Sequence, residues 1–227
     1  FLRCNKNRFG PTSEIALFEM TETGLKEVGD AFSYFEAERT GGSPAGRAIA
    51  VAAEGTRPFL AEVQALSAPT RYPYPRRMAS GFDLNRALVL LAALEKHLRL
   101  RLDGRDVYVN LAGGLKLKDP ALDLAVVFAV ASSVKDVPVP PEWVLVGEVG
   151  LLGELRRAPL LEERLKAAEK AGFKKALVAR KSARELASRF KGLRVVGAET
   201  LAEAFEAVFG SSARRQAEEP VAVEESL

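Results

Sequence analysis

The sequence predicts an α/β fold with a mixed β-sheet and packed helices. From Val107 onward, strand-like and helix-like segments alternate along the chain. Ahead of them sits a hairpin pattern, Ala48 to Ala53 and Phe59 to Leu66, joined by Glu54-Gly55-Thr56-Arg57-Pro58. The third observation is size: 227 residues at 48% hydrophobic can bury an ordinary core, as one or at most two domains.

Taken in order, residues 1–36 read as a short β unit. Ile15 to Phe18 is strand-like, Thr23-Gly24 marks a turn, and Asp30 is placed to cap a short helix through Tyr34 and Phe35. Thr40-Gly41-Gly42-Ser43-Pro44 is a loop, and residues 37–210 form the main domain. In the second hairpin strand Phe59, Ala61, Val63 and Ala65 make a wholly apolar face. Residues 67–80 carry three prolines, two tyrosines and three arginines up to Arg77, and are expected to be an exposed loop. Leu84, Leu88, Leu91, Leu94 and Leu98 recur at helical spacing, which predicts a helix from about Asp83 to Arg99, capped by Ser80 or Asp83. Val107 to Val109 is a strand, and Ala112-Gly113-Gly114 a glycine turn. Pro120 to Ser133 is a helix apolar on nearly all sides, hence buried. Trp143 to Val149 is a strand that turns at Gly150 and Gly153 into a short partner. Leu160 to Ala171 is a helix closed by Gly172. Ala176 to Val178, Ser182 to Phe190, Leu193 to Val196 and Thr200 to Phe209 then read as strand, helix, strand and helix. From Ser211 the chain is polar and acidic, and residues 211–227 are expected to be a disordered tail.

Composition removes several functional classes. No apolar run approaches the ~20 residues of a membrane span, and no charged-then-apolar leader opens the chain, so a soluble, cytoplasmic protein is expected. One cysteine, Cys4, excludes an internal disulfide framework and a thiolate zinc site, and one histidine, His97, excludes multi-histidine metal sites. His97 reads as a surface helix residue with no acid–base partner. A start at Phe1 suggests a piece of a longer protein, and the scarcity of Gln, Asn and Cys suggests a thermophilic source.

The net charge of +3 hides a basic middle. Residues 71–118 hold ten lysines and arginines against four acids. Asp119 and Asp123 stand one turn apart at a helix N-terminus, where carboxylates favour the dipole. No P-loop sequence is present, so nucleotide binding by that route is not expected here.

Lys6-Asn7-Arg8-Phe9-Gly10 resembles the KNRFG motif of the RadA (Sms) family of bacterial DNA-repair proteins. Glu54-Gly55-Thr56-Arg57-Pro58, Pro75-Arg76-Arg77 and Gly81-Phe82-Asp83-Leu84-Asn85-Arg86 resemble other stretches of that family. Val107 to about Ala179 is similar to the proteolytic domain of Lon proteases. The resemblance implies a Lon-protease-like domain of the ribosomal-protein-S5-domain-2-like type, with a zinc ribbon and a RecA-like ATPase preceding Phe1. It further implies that zinc, ATP and magnesium belong to those parts, with no cofactor and no metal in this chain. The expectation is therefore no enzyme in the fragment, although its parent resembles a DNA-dependent ATPase.

In the Lon family a serine in Gly-Pro-Ser-Ala-Gly is activated by a lysine. The matching stretch here is Asp119-Pro120-Ala121-Leu122-Asp123, so Ala121 stands at the nucleophile position. Glu162 and Arg164 fall at the two lysine positions, and an arginine stays protonated and cannot act as a base. Ser132 and Ser133 lie on the same helix, three turns from where the nucleophile belongs. Peptidase activity is not expected.

What remains is binding. Lysine and arginine neutralise phosphates and release counterions, and tyrosine stacks on exposed bases. Arg57, Arg71, Arg76, Arg77, Arg86, Lys116 and Lys118 are the candidate DNA contacts; for Lys96, Arg99 and Arg101 a solvated face is the better reading. The resemblance implies that Lys6 and Arg8 of KNRFG act across a subunit boundary. It also implies a hexameric ring on single- or double-stranded DNA, serving branch migration alongside RecA recombinase, with no membrane partner. The alternative is an oligomerisation scaffold without DNA contact.

Overall fold

The computed structural model describes residues 2–3, 15–16, 18–21, 24–27 and 44–210. Near the N-terminus, β1 (Leu2–Arg3) pairs antiparallel with β2 (Ile15–Ala16), and β3 (Phe18–Thr21) with β4 (Gly24–Glu27). The KNRFG stretch, Cys4, the helix expected from Asp30 and the tail from Ser211 lie outside the described residues.

The main domain is a seven-stranded mixed sheet. Its strands are β5 (Arg47–Glu54), β6 (Arg57–Pro69), β7 (Arg77–Ser80), β8 (Arg105–Leu111), β9 (Trp143–Leu145), β12 (Lys175–Ala179) and β13 (Arg194–Ala198). In space they run β13-β12-β9-β5-β6-β8-β7. The two pairings of β6, with β5 and β8, are antiparallel; the other neighbours are parallel. A separate ribbon pairs β10 (Glu148–Val149) with β11 (Leu155–Arg156).

Alternation along β5 builds both sides of the sheet. Ala48, Ala50 and Ala52 face one core, which holds α1 (Leu84–Leu98), α2 (Asp123–Lys135) and α5 (Leu201–Phe209). Ile49 and Val51 face the other, under α3 (Leu161–Lys170) and α4 (Arg180–Leu186). The second layer does not cover the whole sheet. On β6, β8 and β7 the residues of that same face include a cross-strand row, Leu66, Tyr108 and Met78, in which Leu66 is 61% and Met78 57% exposed.

Side-chain caps open two of the helices. Asp83 accepts a hydrogen bond from the Arg86 amide at 2.8 Å and so caps α1, and Thr200 accepts one from the Glu203 amide to cap α5. Every residue of α2 from Asp123 to Ser132 is buried, as an all-round apolar helix requires. Because α2 has no polar stripe, its last full turn is tied down instead. The Gly46 amide donates to Ser132 Oγ at 2.9 Å, and the Ser67 amide to Ser133 Oγ at 2.8 Å. Gly46 has φ of 90°, and a Cβ there would sit 2.2 Å from the Ala65 carbonyl oxygen, so only glycine fits.

The expected exposed loop over 67–80 is corrected at both ends. Residues 67–69 continue β6 against β8, and 77–80 form β7 at the sheet edge. Pro69 closes its strand, whereas Arg77 to Ser80 contain no proline and keep every amide free to pair. Only 70–76 is loop. The strand expected over 143–149 is broken, because Gly147 leaves the sheet to bond the turn before α2: its amide donates to the Ala121 carbonyl, and its carbonyl accepts from the Leu124 amide, both at 3.2 Å. Among the described residues no helix is long and apolar enough to cross a membrane.

Candidate nucleic-acid interface

Two places need description: the turn where the resemblance puts a peptidase site, and the basic surface.

At the first, a 3-10 turn (Pro120–Leu122) leads into α2, and Ala121 is fully buried in it. Asp119 caps the turn by accepting from the Ala121 amide at 3.0 Å. It also does something the dipole reading missed. Arg164, from α3, reaches under β5 and grips it with both ends of its guanidinium, Nη1 to Oδ2 at 2.7 Å and Nη2 to Oδ1 at 3.1 Å. Nη1 and Nε also donate to the Val51 and Pro159 carbonyls, at 2.6 and 2.8 Å, and the Ala53 amide donates to Asp119 Oδ2 at 2.8 Å. A planar fork suits this bidentate geometry. Glu162 lies one face away, ion-paired to Lys166 and Arg189 at the surface. Ser132 is buried, and its hydroxyl donates to the Val137 carbonyl at 2.6 Å while accepting from Gly46.

Asp123 forms a second inward pair. Its carboxylate takes two hydrogen bonds from Arg86, one from Nε at 3.1 Å and one from Nη2, and a third from the Val149 amide at 3.2 Å. Burial pushes the Asp123 carboxyl above the usual carboxylate range, against the pull of Arg86, and the same contact raises the Arg86 guanidinium. Arg86 Nη2 also donates to the Val149 carbonyl at 2.7 Å.

The basic surface is built around the loop 70–76. Asp106, on β8, accepts the Arg76 amide at 2.7 Å, and the Thr70 and Tyr108 hydroxyls add to the bonds that hold its carboxyl below the usual range. The Thr70 amide donates to the Gly104 carbonyl at 2.8 Å, and the Tyr72 amide to Thr70 Oγ1 at 3.2 Å. So anchored, the loop holds the Arg76 guanidinium carbon 3.6 Å above the centre of the Tyr72 ring, both side chains being exposed. Arg71 is exposed beside them.

The seven candidate cations divide three ways. Arg71 and Arg76 sit at the entry to β7, and the exposed Lys116 and Lys118 at its exit, where the Leu117 amide donates to the Gly81 carbonyl at 2.9 Å. A four-residue strand separates these pairs by about 13 Å. Arg77 and Arg86 are turned inward: Arg77 donates to the Leu102 carbonyl at 2.8 Å and to the Arg105 carbonyl, so it fastens β7 to its neighbour. Arg57 opens β6, at the end far from Pro69, and does not join the others. The surface face of α1 carries Lys96 as an exposed side chain, and the exposed Arg99 and Arg101 follow the helix; His97 is half-buried and its Nε2 lies 3.2 Å from the Leu151 carbonyl, a partner the sequence does not reveal. Asp106 and Thr70 escaped notice because a lone acid among cations carries no signal until pairing is known. Among the described residues no group of three or more metal-ligating side chains comes together.

Over 209 residues the chain is 46% identical to a protein of Bacillus subtilis (strain 168), covering 92% of this chain and 45% of that one. The chain is similar to DNA repair protein RadA. RadA of Streptococcus pneumoniae (strain ATCC BAA-255 / R6) is 46% identical over 208 residues, with 92% and 49% covered. RadA of Halalkalibacterium halodurans is 42% identical over 209 residues, with 92% and 45% covered. The chain thus spans about half the length of the curated relatives it matches. Residues 90–182 also match the family described as Subunit ChlI of Mg-chelatase, which is not a Lon-type description. The expectation of no enzyme is overturned here by the match of residues 90–182 to a subunit of Mg-chelatase and by the similarity to RadA over nearly the whole chain.

Proposed function

We propose that this chain is the DNA-gripping, ring-forming part of a RadA-like DNA-repair ATPase, built on a Lon-like scaffold that no longer hydrolyses peptides. The observation that carries the reading is the loop 70–76, clamped at its base by Asp106 and presenting Arg76 on Tyr72 to solvent. A flexible lysine tail would spend ordering entropy on each phosphate; a braced guanidinium has spent it in folding. Arg71, Arg76, Lys116 and Lys118 are the phosphate contacts of this reading, with Arg57 an outlying one, while Arg77 and Arg86 shape the surface from within. Six copies in a ring multiply weak contacts into useful avidity. Lys6 and Arg8 act at the boundary between subunits, and the assembly works at recombination intermediates beside RecA recombinase on single- or double-stranded DNA in the cytoplasm. Loss of peptide hydrolysis rests on buried Ala121 and on Arg164, whose three nitrogens all donate to groups of this domain.

The test is titration of labelled DNA with the purified chain across a salt series, with sizing of the same sample. Binding whose log K falls with log salt, and a slope reduced when Arg71, Arg76, Lys116 and Lys118 become alanine, supports the reading. A well-formed ring without affinity at low salt defeats it. One observation favours that second outcome, an oligomerisation scaffold without DNA contact: the uncovered row of Leu66, Tyr108 and Met78 is the kind of apolar surface that a neighbouring subunit covers.

A further inference from the structure

Tyr74 is 85% exposed, more than any other large apolar or aromatic side chain among the described residues. Leaving an aromatic ring in water forgoes a large burial gain, and an idle loop has no reason to do it rigidly. Yet Tyr74 is held rigidly. Pro73 before it has a fixed φ, and Pro75 after it confines Tyr74 itself to extended backbone. On one side the loop is tied through Thr70 to Gly104, and on the other through the Arg76 amide to Asp106 and the Arg76 carbonyl to the Val107 amide at 2.9 Å. Two residues away, the Arg76 guanidinium carbon lies 3.6 Å over the centre of the Tyr72 ring, which covers one face of that ring, and both side chains are exposed. The loop therefore offers one uncovered aromatic ring and, two residues along the chain, one braced cation.

We infer that the 70–76 loop is a stacking site for an unpaired base of single-stranded DNA, with Tyr74 taking the base and Arg76, held by Tyr72, taking the adjacent phosphate. This rests on the DNA-binding reading above and narrows its substrate. A base inside a duplex has both faces occupied by its neighbours and offers nothing to Tyr74, whereas every unpaired base has a free face. Stacking is uncharged, so Tyr74 selects strand state, while Arg76 and its neighbours supply salt-sensitive affinity without selecting it.

The experiment measures binding of the full 227-residue chain, and of its Tyr74→Ala, Tyr74→Phe and Arg76→Ala variants, to the same sequence as single strand and as duplex over a salt series. Tyr74→Ala is expected to weaken single-strand binding by about 10- to 100-fold, with duplex affinity and the salt slope unchanged. Tyr74→Phe is expected to restore it, since the ring and not the hydroxyl stacks. Arg76→Ala is expected to reduce the slope by about 0.7 on the single strand and about 0.9 on the duplex. If Tyr74→Ala weakens both DNAs equally, or neither, the stacking site is overturned while charge-based DNA binding stands. If the unmodified chain binds neither DNA at low salt, both readings fall. Unfolding curves of the variants separate a binding loss from a folding defect, and a residue so exposed is expected to leave them superimposed.

Discussion

Arg164 and Asp119 lie 45 residues apart in sequence and meet as a two-pronged ion pair inside the domain, 2.7 and 3.1 Å between their atoms. The pair joins α3, the end of β5 and the turn into α2, three pieces that the chain visits at long intervals. Since each charge is desolvated, its partner is needed. Arg164→Ala is expected to destabilise the domain by about 3–5 kcal/mol, read as a shift of the denaturation midpoint in urea. Replacing both residues with apolar side chains of similar size should cost far less than either single change.

Arg86 makes a parallel case with a pH signature. In the Arg86→Ala protein Asp123 stays buried without its cation, and its carboxyl, already above the usual range, rises further. A carboxyl raised in the folded state binds its proton more tightly there than in the unfolded chain. Its stability contribution is therefore best at low pH and worsens as pH rises above the ordinary value of about 4. The variant is expected to lose about 3 kcal/mol at neutral pH and visibly less near pH 4, measured by thermal unfolding at both.

Asp106 carries the opposite sign. Its carboxyl is depressed, chiefly by the Arg76 amide, so its grip on the loop is complete above the ordinary carboxylate value and is lost as pH falls through the lowered one. As pH falls below the ordinary carboxylate range, the 70–76 loop should become labile while the sheet remains intact. Amide exchange of Arg76 followed against pH checks this, and Asp106→Asn should show the labile loop at neutral pH. An Arg76 amide unchanged in that variant would dismiss the clamp.

The cations should separate by readout. Alanine at Arg71, Lys116 or Lys118 is expected to flatten the salt slope of DNA binding by about 0.7–0.9 each and leave thermal stability alone. Arg77→Ala should do the reverse, because its guanidinium serves the Leu102 and Arg105 carbonyls.

Much of the architecture was readable in advance. The capping of α1 by Asp83, the left-handed Gly172 after α3, and the all-apolar α2 are local signals, and local signals survive folding. β7 was missed because Arg77-Met78-Ala79-Ser80 alternates nothing; it is a strand only because β8 offers it an edge. The surface was legible as charge and illegible as partnership. Arg76, Arg77 and Arg86 look alike in a count of cations. What separates them is Asp106, 30 residues from the first, two backbone carbonyls near the second, and Asp123, 37 residues from the third. As acids at a helix N-terminus, Asp119 and Asp123 are predicted dipole partners; Asp119 does accept the Ala121 amide, and each also holds an arginine from another element.

The serines at the end of α2 have one more consequence. A rod that is greasy all the way round can roll about its axis, or slip by a turn, with little change in how much oil meets oil. Burial alone would leave α2 indifferent among several such settings. Ser132 and Ser133 remove the indifference, since one angle and one height bring their oxygens beneath the amides of Gly46 and Ser67. They act as the key in a shaft. With Ala at 132 and Val at 133 the domain would keep most of its cohesion and lose its single answer to where that helix points, and with it the fixed aim of Asp123 at the helix's other end, on which Arg86 of α1 closes.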